Sequence, residues 1–211
     1  MKKLFLFAIA ALTIPISCSQ QAETEKTGEG EIKASNAVIE TIMQRRSVRQ
    51  YLATPVEREK LQQVVECGIN APNGMNKQPW EVTVVEDSTF ILETTELFKA
   101  AMPDMVANDK GFKNMYRNAP NIICIATPNG ESSIDAGLLG ENIILAAQSL
   151  GLGTCCLGGP VAFLKSSDDC KPYIERLGFS EGYELLYIIA IGYPDETPGA
   201  KPRDAGKVKF L

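Results

Sequence analysis

Arg45-Arg46-Ser47-Val48-Arg49 places three guanidinium groups and a hydroxyl within five residues. Guanidinium forks stay charged and match the oxygens of a phosphate. Lys201-Pro202-Arg203 is a second tight basic group, close to the C-terminus. Taken alone, a basic cluster at a helix end is most simply a solvated face that suits the macrodipole. Two other stretches add weight. Ala71 to Trp80, with Pro72, Asn73, Gly74 and Asn76 at its centre, is dense in turn formers and side-chain amides. Trp80 at its end argues for a packed loop and against a simple surface turn. Gly158-Gly159 lets main-chain N–H groups approach a flat ligand with no Cβ in the way.

Composition narrows the chemistry. The 211 residues suffice for one domain with a sizeable core, and a hydrophobic fraction of 45% is ordinary for a globular protein. A net charge of −5 does not suit a protein that coats nucleic acid. Any anion must therefore be held by local positive charge. The chain has no histidine, which excludes histidine triads, histidine metal sites and histidine acid–base catalysis. Difficult chemistry in such a chain belongs to a cofactor, and no side chain is assigned as an obligate acid or base.

The elements that must position these groups read as follows. Asn36 to Arg45 has helical spacing, with Val38, Ile39, Ile42 and Met43 apolar. Thr54-Pro55-Val56-Glu57 predicts a helix start with Thr54 as cap, running to just before Pro72. Strands are expected at 80–86, 121–126 and 183–191, the last as a central strand. Helices are expected at 89–102 and 134–150. Residues 103–118 are polar, a lid or a short helix. Residues 151–159 read as a helix exit, a strand and a turn. Strands separated by helices predict an α+β domain with one sheet covered by helices. Cys67 and Cys124 sit in apolar patterns and are expected as buried free thiols. Five of the six cysteines follow Cys18, and that odd number with the absence of CxxC gives no disulfide framework.

Lys2-Lys3 followed by an apolar run from Leu4 to Ile16, then Ser17-Cys18, reads as a targeting segment. Its end resembles the lipobox of bacterial lipoproteins, with Cys18 as the lipidated residue, although Pro15 stands where that family usually has Leu. A plain secretory signal is the alternative. Residues 1–18 are thus expected as a signal peptide, 19–33 as a disordered tether and 34–211 as the folded domain. The expected location is the bacterial envelope, held to the membrane by a lipid anchor.

In order and in register, the motifs at 45–49, 72–80, 135–153, 158–159, 192–194 and 201–203 resemble the FMN-dependent nitroreductase family. The resemblance implies a nitroreductase-like fold: a central, mostly antiparallel sheet flanked by helices, in an intertwined homodimer with FMN at the subunit interface. It implies that Arg45, Arg46, Ser47 and Arg49 run along the flavin phosphate, ribityl chain and pyrimidine edge. Lys201 and Arg203 would close on the phosphate. Pro72, Asn73, Gly74 and Asn76 would reach the same flavin from the other subunit, and Gly158 and Gly159 would offer backbone donors near the ring. Many members have Ser where this chain has Asn73, and some have an acidic residue at the Leu157 position.

The activity implied is ping-pong hydride transfer from NAD(P)H through FMN N5 to a nitroaromatic, quinone or similar electron-poor acceptor. Other readings stay open: a non-catalytic flavin-binding envelope protein, a reductive dehalogenase or a flavin-dependent oxidase. An address outside the cytoplasm sets the supply of NAD(P)H against the simple reductase.

Overall fold

Ile122, Ile123, Cys124 and Ile125 are all fully buried, and so are Ile188, Ile189, Ala190 and Ile191. A strand can bury every successive side chain only when both faces of its sheet are covered. The computed structural model, which describes residues 36–129 and 131–211, has that arrangement. The expected signal segment 1–18 with Cys18, and the tether 19–33, lie outside the described residues.

Strands β1 (Glu81–Val85), β2 (Asn121–Pro128), β3 (Gly153–Leu157) and β4 (Tyr183–Gly192) form one sheet in the order β1-β2-β4-β3. All three pairings are antiparallel. On one face, Ile123, Ile125, Ile189 and Ile191 pack with Leu61 and Val64 of α2 (Arg58–Ile69) and Leu139 and Ile143 of α5 (Ser133–Ser149). On the other, Ile122, Cys124, Ile188 and Ala190 meet Phe90 and Phe98 of α3 (Ser88–Ala101) and Val161 and Leu164 of α6 (Gly159–Ser166). Each such isoleucine contributes about 1.5–3 kcal/mol of burial energy, so the paired central strands β2 and β4 anchor the fold. The remaining helices are α1 (Ala37–Gln44), α4 (Pro103–Asn108) and α7 (Lys171–Arg176).

Three expectations are corrected. Helix α2 begins at Arg58 with Glu57 as its cap position, later than the Thr54 signal. The Val56 N–H donates to Asn121 Oδ1 at 2.8 Å, and the Val56 side chain is buried. That tertiary bond holds the segment extended and overrides the local capping pattern. Cys67 is exposed, while Cys124 is buried; both are free thiols. Its apolar neighbours on α2 face the core, and Cys67 itself borders a surface groove with Val38 and Asn142. Finally, Gly158-Gly159-Pro160 is the start of helix α6 rather than a bare turn, with Pro160 in its first turn.

Helix α1 is well formed at its start, where Asn36 Oδ1 accepts from Val38 N at 3.0 Å and Ile39 N at 3.2 Å. Yet it buries no residue within the chain. Val38, Ile39, Ile42 and Met43 are 48–68% exposed, an apolar stripe that the described residues leave largely uncovered.

Candidate functional site

The basic segment 45–49 is fixed by the edge of the sheet. Ser47 pairs with Thr154 of β3 in a parallel bridge, and Val48 N donates to Thr154 O at 2.9 Å. The crossing requires glycine at 153, because a Cβ there would lie 2.8 Å from Val48 Cβ. Beyond it, Tyr51 is 2% exposed and donates to Val48 O at 2.6 Å. The same stretch pairs on its other side with 193–195. Leu52 N donates to Tyr193 O and Asp195 N to Gln50 O, both at 2.9 Å. The Arg49 N–H donates to the Glu196 carboxylate. Residues 47–52 are therefore a ribbon between β3 and the strand exit after Gly192. The chain leaving that exit carries Lys201 and Arg203.

This path brings the two basic groups together. Arg45, Arg46, Ser47, Arg49, Lys201 and Arg203 line one cavity of about 100 Å³ with Pro198 and Gly199. At roughly 30 Å³ per water, it has room for about three water molecules, the scale of a phosphate group. Among the described residues, no carboxylate lines this cavity, and the one ion pair made by its five cations is Arg45 Nε to Glu141, at 4.0 Å. Arg46 donates to Met43 O at 2.8 Å and Arg45 O at 2.7 Å, and Arg49 to Ser47 O at 3.1 Å. Arg203 donates to Lys201 O at 3.2 Å. These bonds aim the forks but leave charge uncompensated. The Arg45 Nε is buried and has no hydrogen-bond partner. A buried, unpaired donor on a charged group is costly, and an anion entering the cavity removes that cost.

Arg49 also lines a second, larger cavity of about 920 Å³. Gly158 and Gly159 lie on its wall, and an added Cβ at either would meet nothing within 4 Å. The backbone at the start of α6 thus faces open space with its first-turn N–H groups unused by the helix. Phe98, Phe112 and Phe163 give the cavity flat apolar surface. Phe98 stacks on Phe112 at 5.9 Å and meets Phe163 edge-on at 5.1 Å. Cys155 and Cys156 also line it. Burial pushes the Cys155 thiol above its ordinary pKa, while Arg49 and Arg117 pull the other way. It is therefore a protonated thiol at neutral pH, not a nucleophile.

The sequence reading missed Glu196, Arg117 and the aromatic wall. Nothing in the polar stretch 103–118 marked Arg117. Its signal is conformational: Arg117 and Asn118 both have positive φ, 59° and 66°. Side chains of this size held in the left-handed region cost about 1–3 kcal/mol each and persist only where surroundings over-determine them. Here Asn118 Oδ1 accepts from Lys113 N at 2.7 Å and Asn114 N at 3.0 Å. Asn114 Oδ1 accepts from Tyr116 N and Asn118 N, both at 2.9 Å.

Pro72, Asn73, Gly74 and Asn76 line neither cavity. Their loop is nonetheless well defined. Gln78 N donates to Asn73 Oδ1 at 2.8 Å and Gly74 N to Asp135 Oδ1 at 3.2 Å, with Trp80 buried behind. Pro72, Gly74 and Asn76 are exposed, and Asn73 is half-buried.

The nitroreductase family model matches residues 42–193. An NADPH-flavin oxidoreductase of Vibrio harveyi is 29% identical over 178 residues, covering 80% of this chain and 70% of that protein. A nitroreductase of Desulfitobacterium hafniense, solved with bound FMN, superposes with a TM-score of 0.76 at 26% identity, over 84% of this chain and 100% of that one. One from Bacteroides fragilis, also with bound FMN, gives 0.74 at 26% identity over the same shares. The matched span opens in α1 just ahead of the basic segment and closes at the exit of β4, so it takes in the whole sheet and the ribbon laid along its edge. This chain belongs to the nitroreductase family.

Proposed function

We propose that the protein is an FMN-dependent NAD(P)H oxidoreductase that reduces a nitroaromatic, quinone or similar electron-poor acceptor by a ping-pong sequence. The observation that carries this reading is the joining of two basic groups, remote in sequence, into one phosphate-sized cavity that shares Arg49 in its lining with a larger, partly aromatic one. Bound FMN supplies hydride transfer at N5. The residues present fit it. Arg45, Arg46, Lys201 and Arg203 would hold its phosphate dianion, and the Arg45 Nε would gain the partner it lacks. Ser47 lines the small cavity, and Arg49 lines both. The main chain at Gly158 and Gly159 offers donors beside a flat ring. Arg49, lining both cavities, would favour the reduced, anionic form of a flavin held there. Phe98, Phe112 and Phe163 exclude water from the space where donor and acceptor bind in turn.

The same proposal includes a homodimer. The uncovered apolar stripe of α1, with Phe210 and Leu211 exposed at the C-terminus, supports a partner subunit. So does the position of the 72–76 loop, which lines neither cavity of its own chain. In a dimer that loop serves the partner's flavin.

Purified protein is expected to be yellow, with a flavin absorption spectrum and a copurifying mass equal to FMN. It should oxidise NAD(P)H when a quinone is added. A colourless protein that takes up no added FMN overturns the proposal. Anchoring in the bacterial envelope through Cys18 is proposed from residues 2–18. Metabolic labelling with a fatty acid should mark the full chain and be lost in Cys18→Ala; an unlabelled full chain rejects the anchor.

A further inference from the structure

We propose that Arg117 is a specificity-determining residue of the large cavity. It receives an anionic oxygen group, a carboxylate or phosphate, carried by the ligand that enters after the flavin is in place. The inference rests on the oxidoreductase reading above and names the ligand chemistry of the same site.

Arg117 lines the cavity together with Arg49. Cys155 lines the same cavity, and the charges of both arginines favour its thiolate. Their situations differ. Arg49 is tied to Ser47 O and lies in both cavities, so its charge belongs to the flavin site. Arg117 makes no hydrogen bond and no ion pair among the described residues, and its side chain is exposed. It is absent from the phosphate-sized cavity. Two carboxylates share the large cavity, but each is engaged by main-chain donors: Asp109 Oδ1 by Gly111 N at 3.0 Å, Glu196 by Arg49 N.

The backbone beneath Arg117 is rigidly held. Asn118 Nδ2 donates to Gly111 O at 2.9 Å and Gln50 Oε1 at 3.2 Å, and Asn114 Nδ2 to Ala119 O at 3.0 Å. Two asparagines therefore fix a left-handed turn that carries the Arg117 guanidinium, exposed and without a protein partner among the described residues. The neighbouring wall is apolar and aromatic, from Phe112 and Met115. A flat ring against that wall, carrying a carboxylate or phosphate toward the guanidinium, satisfies both. A neutral ring satisfies only the first.

The experiment uses the FMN-loaded protein and two ligand pairs that differ in one anionic group. The acceptor pair is nitrobenzene and 4-nitrobenzoate; the donor pair is NADH and NADPH. For wild type, Arg117→Gln and Arg117→Lys, kcat/KM is measured for each ligand, and calorimetry gives equilibrium binding of the two acceptors to the oxidised protein. Loss of one charge-assisted hydrogen bond lowers affinity about tenfold. Arg117→Gln should lower kcat/KM and affinity by about that factor for the anionic member of a pair and leave the neutral or less charged member within about twofold. Arg117→Lys should restore most of the loss, and added salt should shrink it. A selective loss in the acceptor arm assigns the carboxylate; one in the donor arm assigns the dinucleotide phosphate. A yellow, active protein whose Arg117→Gln variant treats both members of both pairs alike overturns this inference alone. Protein that binds no FMN overturns the oxidoreductase reading, and this inference with it.

Discussion

Arg45→Ala combined with Arg203→Ala is expected to give a folded but colourless protein. The two residues come from opposite ends of the folded chain and meet in the small cavity beside Ser47. Each charge-assisted bond to a phosphate contributes about 1.5–3 kcal/mol, so losing two removes about 3–6 kcal/mol of binding energy. At about 1.4 kcal/mol per tenfold, FMN affinity falls by about 10²- to 10⁴-fold. Stability without FMN should change little, because removing two cations also relieves repulsion within the cluster. Arg203 is exposed, and the Glu141 contact to Arg45 is long at 4.0 Å. The rise in Tm that added FMN gives the wild type should disappear, because that rise is the linkage of binding to folding. Flavin fluorescence quenching gives the dissociation constant, and circular dichroism checks the fold. Unchanged affinity in the double variant would remove the phosphate from this cavity.

Gly153→Ala tests the other half of the site, the seam that places the arginines. The new Cβ would sit 2.8 Å from Val48 Cβ, an atom fixed directly to the backbone. No rotamer change relieves that contact; the 47–49 strand must move away from β3. Overpacking of this kind costs about 1–3 kcal/mol. For a domain of this size, each kcal/mol lowers Tm by about 2–4 °C. The distinctive expectation is a second effect. Displacing Val48 breaks the Val48 N to Thr154 O bond and shifts Ser47 and Arg49 with it, so FMN affinity should fall at temperatures where the protein is still folded. Gly111→Ala is the control: its Cβ meets only ordinary contacts, the nearest at 3.6 Å, and both readings should stay at the wild-type value. If Gly153→Ala loses stability but keeps FMN affinity, the seam does not position the arginines.

These two variants also separate what was legible in one dimension from what was not. Ile122–Ile125 and Ile188–Ile191 read as buried strands from their unbroken apolar runs, because only a doubly covered sheet tolerates them. The family was legible from motifs in register, and so were the cationic residues themselves, since net charge −5 makes a local cluster of arginines conspicuous. The start of α2 was not, because a hydrogen bond from Val56 to Asn121 outweighed the Thr54 capping signal. Cys67 looked buried because its neighbours are apolar, yet helical rotation turns it outward. Arg117 carried no signal in the sequence, because its left-handed backbone is set by hydrogen bonds of Asn114 and Asn118 that only the folded loop shows.

Local chemistry therefore determined the inventory: which segments bury, which carry charge, and that a histidine-free chain leaves redox chemistry to a cofactor. Only the folded chain decided the meeting of those charges. Arg45–Arg49 and Lys201–Arg203 have no sequence relation that brings them together. They converge because residues 47–52 hydrogen-bond to β3 on one side and to 193–196 on the other. The order β1-β2-β4-β3 is what sets the β4 exit beside β3. Pairing between distant strands depends on the whole sheet, which no local window of residues contains.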